Sequence, residues 1–192
     1  MDIETDNGWM QWSNVSNPDN SSPWSWNFNF TNGTGYYEFY SIGKKTGSTD
    51  ETAPNTKDAS CHYTATGSCS VSPATWNIGH VWINDTNETT NTTFTVTNDG
   101  GVSIVVQIKA SNATNGTDAW QLNSTADYDN FTLQYQKSGV STWTNVNLTY
   151  DTFVDSLTVD DSETFGLKLT TATSSSTVNE MSFTITLLAV AP

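Results

Sequence analysis

The sequence predicts an all-β protein: an Ig-like or jelly-roll antiparallel β-sandwich, preceded by an aromatic-rich partial Ig-like hairpin segment. Three observations predict it. Thr, Ser, Asn, Gly and Asp dominate the 192 residues, and apolar residues come in short runs separated by turn residues. Apolar side chains alternate with a period of two at several places, and no stretch sustains a helical period. The aromatic load, with Trp 8, Tyr 7 and Phe 8, supplies a core that a disordered chain would lack.

The first segment spans residues 1–71. Its clearest element is Trp24-Ser25-Trp26-Asn27-Phe28-Asn29-Phe30, with all four aromatics on one face of a strand. Thr31-Asn32-Gly33-Thr34-Gly35 follows as a turn, since Asn-Gly tolerates positive φ. Tyr36 to Ile42 is the expected partner strand, Trp9 to Trp12 a shorter third strand, and Lys44 to Ser60 a loop. A lone hairpin is marginal in water, so this aromatic face requires cover from the second segment or from another molecule.

The second segment, 72–192, reads as a β-sandwich in its own right. Expected strands are Trp76–Ile83, Thr93–Thr97, Ser103–Ala110, Trp120–Leu122, Phe131–Gln136, Thr142–Leu148, Ser156–Val159, Thr164–Leu169 and Ser182–Val190. Turn signals such as Asn98-Asp99-Gly100-Gly101, Asn115-Gly116 and Ser138-Gly139 separate them. Val102, Ile104, Val106 and Ile108 share a face; so do Phe165, Leu167 and Leu169, and so do Met181, Phe183, Ile185, Leu187 and Ala189. Leu188 and Val190 add apolar groups to the other face of the last strand. Such a strand is either central in the sandwich or covered by a partner.

Charge narrows the function. The formal net charge is −14, from 20 acidic side chains and 6 lysines with no arginine. That excludes nucleic-acid binding, which needs clustered cations to replace phosphate counterions. The acidity favours solubility, and a sharper reading is divalent-cation bridging between subunits, with Asp127, Asp129, Asp160 and Asp161 as calcium candidates in turns. No EF-hand pattern occurs. Cys61 and Cys69 match no common zinc spacing and are expected to form a small-loop disulfide in an oxidising compartment, against the alternative of two free thiols. Neither a signal peptide nor a transmembrane run is visible; an export signal removed before this numbering is compatible with the chain.

Twelve N-x-[ST] sequons punctuate the sequence, at Asn14, Asn20, Asn29, Asn32, Asn84, Asn87, Asn91, Asn112, Asn115, Asn123, Asn130 and Asn147. They are expected to carry N-linked glycans at several positions and point to an extracellular chain. Catalytic signatures are missing: there is no G-x-S-x-G, no H-E-x-x-H and no phosphate loop. Gly43-Lys44-Lys45-Thr46-Gly47 lacks the spacing of a phosphate loop and reads as a turn. His62 and His80 read as ordinary surface or core histidines. An enzyme is therefore not expected, and no cofactor is required beyond glycans and, in the sharper reading, calcium.

The run PWSWNFNFTNGTGYYEFYSIG (Pro23 to Gly43) and the run DETAPNTKDASC (Asp50 to Cys61) resemble an Ig-like module repeated in large archaeal cell-surface proteins. The resemblance implies that this chain holds the C-terminal part of one such module. More weakly, FTVTNDGG (Phe94 to Gly101), Trp120, FGLKL (Phe165 to Leu169) and MSFTITLLAV (Met181 to Val190) resemble secreted β-sandwiches of the TasA and archaeal bundling-pilus group. Some sandwiches of that group polymerise by donating an N-terminal strand to the next subunit. The resemblance implies a structural subunit of a filament, sheath or S-layer, joined by donor-strand exchange or β-augmentation. Its partners would be copies of itself or other surface proteins. Trp9, Trp12, Trp24, Trp26, Phe28 and Phe30, with Leu188 and Val190, are the expected interface. A surface adhesin or carbohydrate-binding module is the alternative.

Overall fold

A computed structural model describes residues 20–23, 25, 28, 30, 33–52, 54–177 and 179–191. It divides the chain into two units, Met1–Thr31 and Asn32–Pro192. The all-β expectation holds: no helix occurs among the described residues, and about 43% of the described residues are strand in curled, mostly antiparallel sheets. No helix among them is long and apolar enough to cross a membrane.

The second unit contains every named strand: β1 (Gly35–Phe39), β2 (Ala59–Tyr63), β3 (Cys69–Ser72), β4 (Thr86–Glu88), β5 (Phe94–Asn98), β6 (Ile104–Ala110), β7 (Ala113–Thr114), β8 (Ala119–Leu122), β9 (Asn130–Lys137), β10 (Thr144–Asn145), β11 (Asp151–Leu157), β12 (Ser162–Thr170) and β13 (Ile185–Val190). A large sheet runs β3-β5-β12-β9-β8-β7, with β4 on β12 and β10 on β9. A small sheet runs β11-β6-β13. β1 and β2 form a separate two-stranded ribbon. All pairs are antiparallel except β8 with β9.

The two large layers close face to face because alternate residues of each are apolar. β5 and β6 show strict alternation of buried and half-buried residues. Val96, Phe165, Leu167, Phe131 and Leu133 of the large sheet share one core with Ile104, Val106, Ile108 and Phe153 of the small sheet. Phe153 crosses the layers, edge-on to Phe165 at 5.0 Å and to Tyr135 at 4.9 Å. Such edge contacts add about 0.5–1.5 kcal/mol each beyond their buried area.

One polar side chain ties both layers together. Asn98 at the end of β5 is fully buried. Its amide donates to Leu157 O at 2.8 Å and to Val102 O at 2.9 Å, while its oxygen accepts from Gly100 N at 3.0 Å. Both polar atoms of its side chain are thus hydrogen-bonded, which is how a buried amide becomes tolerable. The turn that follows admits only glycine at Gly100, where a Cβ would lie 2.6 Å from both Thr66 O and Ser68 N. That close approach carries the chain from β2 to β3 across the end of the sandwich.

Several expectations are corrected. The predicted partner of the Tyr36 strand was the Trp24–Phe30 segment, but β1 pairs with β2, and Ser25, Phe28 and Phe30 lie outside any strand. β2 begins inside the expected 44–60 loop. The expected boundary between 71 and 72 cuts β3, which pairs with β5 as part of the large sheet. Trp76–Ile83 is not a strand. Trp76 and Ile78 do pack on the core, Trp76 edge-on to Phe94 at 6.5 Å, but the segment forms no ladder. The 142–148 strand shrinks to β10. The Ser156–Val159 strand becomes β11 at 151–157, whose two register shifts against β6 break the alternation, so Phe153, Val154 and Leu157 all turn inward.

Candidate assembly surface

β13 is an edge strand: among the described residues it pairs only with β6, never centrally. Of the two sequence readings of its double-faced apolarity, the central one is therefore excluded. Ser111 N donates to Thr184 O at 2.9 Å, while Ala110 N turns to Asn147 O on the other side. Antiparallel alternation then directs the backbone groups of Thr186, Leu188 and Val190 toward β6. Those of Ile185, Leu187 and Ala189 face outward, in the plane of the sheet. The side chains of Ile185, Leu187 and Ala189 pack on the core, whereas Leu188 is 39% exposed and Val190 half-buried. Just beyond the strand, Ala191 is flanked by Gly67, where a Cβ would lie 3.5 Å from Ala191 N. The result is an apolar edge with donors and acceptors aligned for another strand.

The other expected interface residues are placed only in part. Trp9, Trp12, Trp24 and Trp26 lie outside the described residues. Phe28 and Phe30 are half-buried, with rings edge-on at 5.2 Å. The sequence reading passed over Trp82 and Ile83, which are 73% and 53% exposed in the connection before β4. It also passed over Trp143, whose ring lies 4.6 Å beneath the Lys168 ammonium.

Both cysteines are free thiols, so the expected disulfide is not formed. Cys61 is exposed on the β1–β2 ribbon opposite Tyr37, and Cys69 stands on β3 opposite Asn98, so different sheets hold them. Burial, and secondarily the Asp99 carboxylate, raises the Cys69 pKa above the ordinary thiol range.

The calcium candidates do not converge. No cluster of three or more His, Cys, Asp or Glu side chains is placed to hold a metal among the described residues. Asp129 has both oxygens engaged: one accepts from Ser175 Oγ and Ser176 N, the other from Ser176 Oγ at 2.7 Å. The Ser176 hydroxyl, before all other contacts, holds the Asp129 pKa below the usual carboxylate range. Asp161 accepts from the Thr158 hydroxyl. Asp127 and Asp160 are exposed, and Asp160 takes a positive φ of 64° in its turn.

Among the sequons, Asn20, Asn84, Asn115, Asn123 and Asn147 are exposed, and Asn87, Asn91, Asn112 and Asn130 half-buried. Asn112 has both ends of its amide committed, accepting from Leu122 N and donating to Gln121 Oε1. Asn14, Asn29 and Asn32 lie outside the described residues.

No family model, curated protein or solved structure matches this chain. Fold and surface define the class: an all-β, sandwich-like domain with an apolar strand edge.

Proposed function

We propose that this chain is an extracellular, non-catalytic structural subunit that self-assembles at the cell surface into a filament, sheath or lattice. The archaeal surface-protein resemblance and the dense sequons support the location. The observation that carries the assembly reading is the β13 edge, apolar on both faces with its outer backbone groups aligned for an added strand. The donor is the period-two segment Trp24–Phe30 of a neighbouring copy. Adding it satisfies the backbone of β13 and covers Leu188. A head-to-tail contact of this kind propagates into open fibres.

Electron microscopy of the protein isolated from its native surface tests this. Regular fibres or sheets are expected, lost in Leu188→Lys plus Val190→Lys and in Trp26→Ser plus Phe28→Ser. Dispersed particles from the wild-type chain would sink the reading. A saccharide-binding module is the second reading. It draws on half-buried Trp143, beside an open cleft lined by Glu88, Asn91 and Gln136. It expects monomers and a saccharide-dependent change in Trp fluorescence.

A further inference from the structure

One glycan acceptor stands inside the cleft that holds Trp143. Asn91, Thr92 and Thr93 form a sequon in the turn between β4 and β5. Asn91, Gln136 and Trp143 line the same open cleft of about 390 Å³, with Glu88, Thr89 and Thr90. Neighbouring strands bring these residues together. Glu88 of β4 lies opposite Lys168 of β12, and Gln136 of β9 opposite Gly166 of β12. Trp143 immediately precedes β10, whose Thr144 pairs with Tyr135 of β9.

The acceptor turn is pinned to the sheet. Thr89 N donates to Leu167 O at 2.9 Å, and Leu167 N to Thr89 Oγ1 at 2.9 Å. Thr93 N closes the turn on Thr90 O at 3.1 Å. Gly166 lets the turn lie flat on β12, since a Cβ there would stand 3.0 Å from Asn91 N. Other sequons have their amide nitrogens engaged: Asn112 donates to Gln121, Asn115 to Asp118 and Asn147 to Asp151. A glycan on any of those breaks a native bond. The Asn91 amide forms no hydrogen bond among the described residues, so its modification breaks none.

We infer that Asn91 carries an N-linked glycan whose first sugar lies in this cleft and stacks on the Trp143 indole. The inference rests on the extracellular reading and assigns the cleft to the chain's own glycan instead of a free saccharide. An indole takes the apolar C–H face of a pyranose, while Glu88 and Gln136 bond its hydroxyls. The Lys168 ammonium, 4.6 Å from the ring centre, holds one face of the indole, and the sugar takes the other. Tethering at the cleft's own rim gives the sugar an effective concentration in the millimolar range or above, which a free saccharide has to match.

The test uses the full chain from its native cell surface and the same chain made in a host without N-glycosylation. Glycopeptide mass spectrometry of the native chain finds Asn91 occupied. Melting of Asn91→Gln, Trp143→Ala and the double variant is then measured in both backgrounds. In the glycosylated background the two changes are coupled by about 2–4 °C, the shift that one aromatic contact produces in a domain of this size. Without glycan the coupling disappears. Asn87→Gln removes a sequon outside the cleft and shows no coupling to Trp143 in either background. Unmodified Asn91 on a chain recovered from the surface, or equal coupling with and without glycan, would overturn the inference and leave the extracellular reading standing. A chain found only inside the cell, with no glycan at any sequon, overturns both.

Discussion

Asn98 joins three segments of the fold, because its amide bridges β5 to a carbonyl of β11 and to the turn entering β6. Asn98→Ala leaves the Leu157 and Val102 carbonyls and Gly100 N without that partner. Each buried unpaired group costs about 1–3 kcal/mol. A loss of at least ~2 kcal/mol in urea unfolding is expected, and a loss below the scatter of such curves would mean water replaces the amide. Nothing in Asn98-Asp99-Gly100-Gly101 distinguishes a buried hub from an ordinary turn, so the sequence reading took it only as a turn signal. Asp129 makes the second prediction at this scale. Its folded pKa is depressed, chiefly by the Ser176 hydroxyl. Its contribution is therefore full above the unfolded value of about 3.9 and is lost as pH falls through the lower folded value. Thermal melting of wild type and Asp129→Asn across this range should show a wild-type advantage at neutral pH that vanishes in acid. A pH-independent difference would contradict the assignment.

Elements with uninterrupted alternation were legible: β5, β6, β12 and β13 fall within or beside their expected ranges because each turns one face to a continuous core. β11 was misplaced because its bulges put Phe153, Val154 and Leu157 on the same side without a period of two. The Trp76–Ile83 segment shows the reverse failure. Its alternation is real and Trp76 and Ile78 do pack inward, but a strand also needs a neighbour. Here the Trp82 carbonyl instead accepts from the Thr171 hydroxyl, and Asn84 N, just beyond the segment, donates to Ala172 O. The two- and three-residue strands β4, β7 and β10 carry too little sequence to announce themselves. β4 is imposed by β12, whose Gly166 admits the connection after β4 so closely that a Cβ would lie 2.5 Å from Thr90 O.

Across the whole molecule, acidity and apolar contact surfaces oppose each other. Two copies at −14 repel, and the repulsion weakens as the Debye length falls from about 10 Å at 0.1 M salt to about 3 Å at 1 M. Assembly through the apolar β13 edge should therefore strengthen with sodium chloride, read by light scattering or sedimentation. Assembly that dissolves in salt would instead place ion pairs at the contact. The candidate surface was half legible in advance: Leu188 and Val190 were named from their pattern, while Trp82 was taken for part of a strand. Composition and period-two alternation by themselves determined that this chain is all-β, acidic and rich in possible glycan sites, because those properties depend only on neighbours along the chain. Tertiary structure alone decided that β1 pairs with β2, that the cysteines stand on separate sheets, and that β13 lies at an edge. Those outcomes depend on which strands meet, and long-range pairing leaves no local mark in the residues that obey it.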